Sequence, residues 1–169
     1  DNTFFEGLKE VPPCNCVEIS PFKKKLTYSW NTKPYTSQNN NMTFEEAVNE
    51  TRNRLFKSME IRLRSDVPIA FCLSGGIDSN GLIGIAKRIF GYEVHGFTIM
   101  NQDERYEEKD MVNLAVQNQN LRHTAIPIEK NNFISNLINI INYHDSPVST
   151  ISYYAHWLMM KNISNEGYK

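Results

Sequence analysis

The 169-residue chain predicts an α/β fold, a doubly wound parallel sheet with flanking helices. From Ile69 onward, short apolar runs alternate with segments of helical period. The short runs are apolar at successive positions, as strands covered on both faces require. The first run and the next helix are joined by Ser74-Gly75-Gly76-Ile77-Asp78-Ser79, a turn with more polar groups than a plain connection needs.

Residues 1–41 stand apart from this pattern. They hold four of the seven prolines (Pro12, Pro13, Pro21 and Pro34), β-like pieces such as LTYSW, and the polar run SQNNN. That run reads as a linker, and the piece before it has no core of its own. The division predicted is 1–41, the tail of a larger domain plus linker, and 42–169, the first part of a second domain.

Thr43-Phe44-Glu45-Glu46 fits a capping box, with Thr43 capping and Glu46 reaching back. Phe44, Val48, Leu55, Met59 and Leu63 then recur on one helical face. Glu45, Glu46 and Glu50 come early and Arg62 and Arg64 late, as the helix dipole favours.

The alternating series follows. Strands are predicted at Ile69–Leu73, Glu93–Met100 and His123–Ile128, with right-handed crossovers between them. Helices are predicted at Ile77–Phe90, with Leu82, Ile85, Ala86 and Ile89 inward; at Glu104–Asn120; at Asn132–Tyr143, with Ile134, Leu137, Ile138 and Ile141 inward; and at Ser149–Asn165. Gly167 reads as the C-cap of the last helix, and Tyr168-Lys169 as the start of a further strand.

Composition narrows the function classes. The chain is 40% hydrophobic with a net charge of -1, and its basic residues are interspersed with acidic ones. That predicts neither a nucleic-acid nor a membrane surface. No apolar run approaches the roughly 20 residues of a membrane span, and the sequence shown has no signal-peptide pattern. Three cysteines make no disulfide framework. Cys72 lies in an apolar run and is expected in the core. Cys14 and Cys16 form a C-x-C with no second pair at zinc spacing. The setting predicted is the reducing cytoplasm.

The glycine turn carries the chemistry. Ligands of parallel sheets sit beyond the carboxyl ends of the strands. Two glycines let the chain turn sharply and a ligand approach it. The first amides of the next helix are unpaired and partly positive, which suits an anion, and Ser74 and Ser79 add hydroxyls. No lysine follows, so this is not a Walker loop. It is neither a dinucleotide fingerprint nor a nucleophile elbow. Asp78 beside phosphates requires a cation between them, which implies Mg²⁺ at Asp78.

S-G-G-x-D-S after an apolar strand resembles the pyrophosphate loop of the ATP pyrophosphatases, which include GMP synthetase, NAD synthetase and argininosuccinate synthase. The wider chain resembles glutamine-hydrolysing asparagine synthase most. DVPIAFCLSGGIDSN resembles its loop and preceding strand, and HGFTI and HTAIPI its second and third strands. DERYEEKDMVNLA resembles its second helix, and YHDSPVSTISYY the segment after its third. GLKEVPPC and LTYSW resemble the last strands of its glutaminase domain, where P-P-G is usual and this chain has Cys14.

The resemblance implies an adenine nucleotide alpha hydrolase-like fold and an ATP-dependent reaction. A carboxylate, aspartate in asparagine synthase, becomes an acyl-adenylate with release of pyrophosphate. Ammonia from glutamine then displaces AMP. Ser74, Gly75, Gly76 and Ser79 would hold pyrophosphate, with Asp78 placing Mg²⁺. Leu73 and Ile99 would flank adenine and ribose. Asp103 and Glu104, after the second strand on the ligand side, are candidates to contact a substrate amino group or Mg²⁺; His144, as a proton carrier, and Asp145 are further substrate candidates.

The partners implied are ATP, a carboxylic acid, ammonia and the glutaminase domain of the same chain; a homodimer is compatible. The family's second glycine-acid loop and its glutaminase cysteine lie outside the 169 residues, so this part alone is expected not to turn over. The alternatives are the same chemistry on another carboxylate, in surface-sugar or β-lactam pathways, and a non-catalytic nucleotide-binding module.

Overall fold

The computed structural model describes residues 3–29, 41–101, 108–128 and 131–168. The chain falls into two compact units, Asp1–Thr43 and Phe44–Lys169.

The first unit is a hairpin. Strands β1 (Asn15–Ser20) and β2 (Lys23–Ser29) pair antiparallel, from Asn15 opposite Ser29 to Ser20 opposite Lys23, with an irregularity between Glu18 and Ser20. Cys14 and Cys16 are free and exposed. None of the side chains described in this unit is buried. A two-stranded ribbon cannot enclose a core by itself.

The second unit is a parallel three-stranded sheet in the order β3-β4-β5. The strands are β3 (Ala70–Cys72), β4 (His95–Met100) and β5 (Arg122–Pro127). Five helices accompany them: α1 (Phe44–Arg62), α2 (Ile77–Arg88), α3 (Lys109–Gln119), α4 (Phe133–His144) and α5 (Ser152–Asn165). On one face Met59 of α1, Ile83 and Ala86 of α2 and Val112 of α3 pack with Leu73, Val94 and Leu121. On the other, Met159 and Ile163 of α5 cover Phe97 and Ile126. There α5 also packs Tyr154 and Leu158 against Ile140 of α4. Helices on both faces make the doubly wound α/β arrangement that the alternation predicts. No helix among the described residues is long and apolar enough to cross a membrane.

Three helix faces differ from expectation. On α1 only the C-terminal end is covered: Met59 is buried and Leu63 packs beside it, while Phe44 is 87% exposed and Val48 and Leu55 are also exposed. On α2 the inward line runs through Ile83, and Leu82 and Ile89 face out. On α4 Ile140 is buried and Ile134 and Ile138 are exposed. Both α2 and α4 carry apolar residues over more than half their circumference, so periodicity fits two faces equally. Neighbouring elements choose between them. For α4 the choice follows the edge-to-face contact of Phe133 with Tyr154, centroids 4.8 Å apart.

Cys72 is also a correction, being exposed where a core position was expected. It ends β3, which is an outer strand of the sheet, and it borders clefts on several sides. The thiol is still desolvated enough that its pKa is raised, which favours the protonated form.

The end of α5 follows expectation. Gly167 has φ +87°, its N–H donates to the Ser164 carbonyl, and the Tyr168 N–H donates to the Ile163 carbonyl. This is the paired bonding of a glycine-terminated helix. It turns Tyr168 onto His95 of β4, with phenol oxygen and Nδ1 2.9 Å apart.

Candidate functional site

The loop 74–79 leaves β3 at the carboxyl edge of the sheet and enters α2. Its hydroxyls first organise the loop itself. Ser74 Oγ and Ser79 Oγ share a hydrogen bond of 3.0 Å. The Ser74 N–H donates to Ser79 Oγ and the Gly76 N–H to Ser74 Oγ, at 3.3 and 3.2 Å. Asn80 adds a clamp from α2, its amide nitrogen donating to the carbonyls of Ser74 and Gly76 at 3.0 and 2.8 Å. Short polar side chains bonding to nearby backbone are the usual way to hold a turn against the pull of regular structure.

The two glycines have different reasons. Neither adopts a positive φ, so the freedom expected of them as turn residues is not what they supply. Gly76 begins α2 with φ −73°. Gly75 is needed for space: a Cβ there would lie 3.0 Å from Met111 Cβ and 3.2 Å from Glu108 Oε2. Its N–H donates to Glu108 Oε2 at 2.7 Å, across 33 residues of sequence. The amide expected to face a phosphate therefore faces a carboxylate of the chain itself.

A second framework ties the loop to the sheet. The Leu73 N–H donates to the Phe97 carbonyl at 2.8 Å. The Thr98 hydroxyl donates to the Leu73 carbonyl at 2.7 Å. With its one hydrogen so used, Thr98 Oγ1 accepts from His123 Nε2, 3.0 Å away, which assigns the proton to Nε2 of that ring. Burial pushes the His123 pKa down, so the ring is neutral at pH 7.

Beside the loop lies a cleft of about 450 Å³. Leu73, Ser74, Ser79 and Ile99 of the expected set line it, together with Thr98, Glu108, Ser152 and His156. Leu73 is buried and Ile99 half-buried. Asp78 is exposed on the first turn of α2 and is not among the lining residues. Asp103 and Glu104 lie outside the described residues. His144 and Asp145, at the end of α4, are not among the lining residues: His144 packs edge-on against Tyr153, and Asp145 takes a left-handed turn conformation with φ 50°. Glu108, Thr98, Ser152 and His156 are additions that the sequence reading missed. Ser152 and His156 are four apart on α5, a spacing that places both on one face. That pattern was readable, but not which face meets the loop.

No cluster of three or more His, Cys, Asp or Glu side chains forms a metal cage among the described residues. The donors at the loop are hard oxygens, the Asp78 carboxylate and the Ser74 and Ser79 hydroxyls. Such a set fits Mg²⁺ only when phosphate and water complete the coordination.

A polar Gly-Gly turn between a strand and a helix, beside a cleft, stands at the carboxyl edge of the parallel sheet, where open α/β sheets bind their ligands. The family model for asparagine synthase matches residues 50–169. The chain belongs to the asparagine synthase family. It is 25% identical over 151 residues to asparagine synthetase [glutamine-hydrolyzing] 1 of Bacillus subtilis, a match covering 88% of this chain and 23% of that protein. It is 33% identical over 89 residues to the amidase chry2 of Gibberella zeae, covering 52% of this chain and 13% of that protein. The amidase chyE of Penicillium rubens is 35% identical over 85 residues, covering 49% and 13%. The chain thus spans a quarter or less of the length of these relatives. Among solved structures, an NH3-dependent NAD synthetase from Campylobacter jejuni aligns with TM-score 0.44 and 19% identity over 73% of this chain and 53% of that one.

Proposed function

We propose that residues 42–169 are the first part of the synthetase domain of an ATP-dependent amidotransferase, and residues 1–41 the tail of its glutaminase domain with a linker. One observation carries this reading: beside the cleft, the Gly75 N–H is directed at the carboxylate of Glu108, 2.7 Å away. A loop amide that holds one oxyanion can hold another, and phosphate is the oxyanion that strand-loop-helix turns serve.

In this reading the phosphates of ATP lie over loop 74–79, with adenine and ribose between Leu73 and Ile99. The substrate carboxylate, aspartate in the leading assignment, attacks the α-phosphorus. The bond to the β-phosphate oxygen breaks and pyrophosphate leaves. Ammonia derived from glutamine attacks the acyl carbonyl and AMP departs, leaving asparagine. The loop's task is to stabilise the charge that develops on pyrophosphate. Asp78 would hold Mg²⁺, which would supply positive charge to neutralise the phosphates. Asp103 and Glu104 remain the acidic candidates for the substrate amino group, and Ser152 and His156 offer further polar contacts from α5.

The identity to two fungal amidases over the shorter matched segment supports a second reading, the same activation applied to another carboxylic acid. ATP–pyrophosphate exchange on the intact protein, with aspartate and a panel of other acids, separates the two. Exchange that requires aspartate and falls by roughly a hundredfold or more in Asp78→Ala supports asparagine synthesis. Exchange with another acid alone retains the chemistry and changes the substrate. A folded protein that binds ATP and exchanges with none is a nucleotide-binding module.

A further inference from the structure

The central amide of the loop is already occupied, and its occupant belongs to the chain. Glu108 Oε2 accepts the Gly75 N–H at 2.7 Å, within the short range of charge-assisted bonds. We propose that Glu108 is an internal competitor for the loop: its carboxylate holds the Gly75 amide in the nucleotide-free protein and must leave before a condensed phosphate can bind there. This rests on the reading of the loop as a phosphate site.

Four features support it. The amide has one hydrogen, so carboxylate and phosphate cannot both take it in full. Two anions on one donor repel, so the bound states exclude each other. Glu108 is exposed and lines the cleft, so water and ligand reach the contact from the side on which a ligand would enter. It also stands at the N-cap position of α3 with no side-chain cap bond. Its carboxylate has no duty to its own helix, and a change of side-chain torsion releases the amide without unfolding a turn.

The backbone of Glu108 would stay in place through this exchange. Its Cβ and that of Met111 crowd Gly75, 3.3 and 3.0 Å from where a Cβ would stand. The movement is confined to the outer atoms of one side chain, and the carboxylate remains beside the loop to return when pyrophosphate leaves. Glu108 thereby sets how strong an anion must be to open the loop, and it protects the loop from weak ones.

The test is calorimetric titration of inorganic pyrophosphate into the intact protein at one fixed Mg²⁺ concentration. Wild type is compared with Glu108→Gln and Glu108→Ala. Gln keeps the shape and can still accept from Gly75 without the charge; Ala removes the acceptor. The expected dissociation constant falls in the order Glu, Gln, Ala, by roughly threefold and then to about tenfold overall, the ratio between charge-assisted and neutral bonds. A gain of affinity on deleting a polar side chain is opposite in sign to the effect of losing a ligand-holding residue. Equal affinity in all three proteins, or weaker binding in the variants, overturns the competitor and leaves the loop reading standing. No binding by any of them, with melting curves showing all three folded, overturns the loop reading as well.

Discussion

Tyr168 closes on His95. The phenol oxygen lies 2.9 Å from Nδ1, and the rings meet edge to face with centroids 5.5 Å apart. The other nitrogen, Nε2, lies 2.8 Å from Thr124 Oγ1. His95 is 2% exposed, and both ring nitrogens are satisfied in the interior, one by Thr124 of the next strand and one by Tyr168, just beyond α5. Removing the phenol leaves a buried ring nitrogen without its partner. Tyr168→Phe should therefore destabilise the second unit by about 1–2 kcal/mol, read as a lower denaturant midpoint with an unchanged m-value.

The same histidine sets a pH dependence. Burial, and next the positive charge of Arg122, push the His95 pKa below its ordinary value, and burial does the same for His123. In the unfolded chain both rings titrate near 6.5. Above that value both states are neutral and this part of the stability is complete. As pH falls below about 6.5 the unfolded chain takes protons that the folded one refuses, and stability is lost until the depressed folded values are reached. Melting temperature followed from pH 8 downward should start to decline near that point, ahead of the carboxylates. A flat profile down to pH 5 would show the two rings to be free to charge in place.

Gly75 and Gly76 should respond differently to alanine. At Gly75 the new methyl meets Met111 Cβ at 3.0 Å, tighter than most real Cβ contacts, so loop and α3 must give way by a few tenths of an ångström. At Gly76 it meets only Ser74 Oγ at 3.3 Å, and φ is already negative. Gly75→Ala is expected to weaken pyrophosphate binding by about threefold or more, since the shift misplaces the donors of the loop. Gly76→Ala should cost less than half of that in logarithmic terms. Titration of both variants checks the order.

Thr98→Val tests the tie between loop and sheet. Valine keeps the shape and deletes a hydroxyl that both donates to the Leu73 carbonyl and accepts from His123. A buried and a half-buried partner lose their bond at once, so a loss of about 2–3 kcal/mol is expected. Thr98→Ser keeps the hydroxyl and should recover most of it. Thermal or chemical unfolding of the pair gives the answer.

How much of this was legible in the sequence differs by element. The strands and helices of the second unit, the polar glycine turn between β3 and α2 and the glycine ending α5 were all readable, because each is decided within a few residues. Apolar runs, the helical period and the turn preferences of glycine are local physics. The inward faces of α2 and α4 were not readable, because each helix carries apolar residues on more than one side and the neighbours choose. Nor was the exposure of Cys72, which depends on β3 having one strand partner among the described residues.

The site divides in the same way. Ser74, Gly75, Gly76, Asp78 and Ser79 were singled out as a candidate phosphate loop by residue type and order alone. That Glu108 reaches Gly75, that Thr98 carries the tie from His123 to Leu73, and that Ser152 and His156 wall the cleft are facts of tertiary structure. Those residues lie on α3, β4, β5 and α5, and only the parallel pairing of the strands and the packing of the crossover helices bring them to one edge of the sheet. A turn is specified by the energies of its own backbone. A site is specified by which distant segments the buried apolar faces force together, and no local pattern encodes that distance.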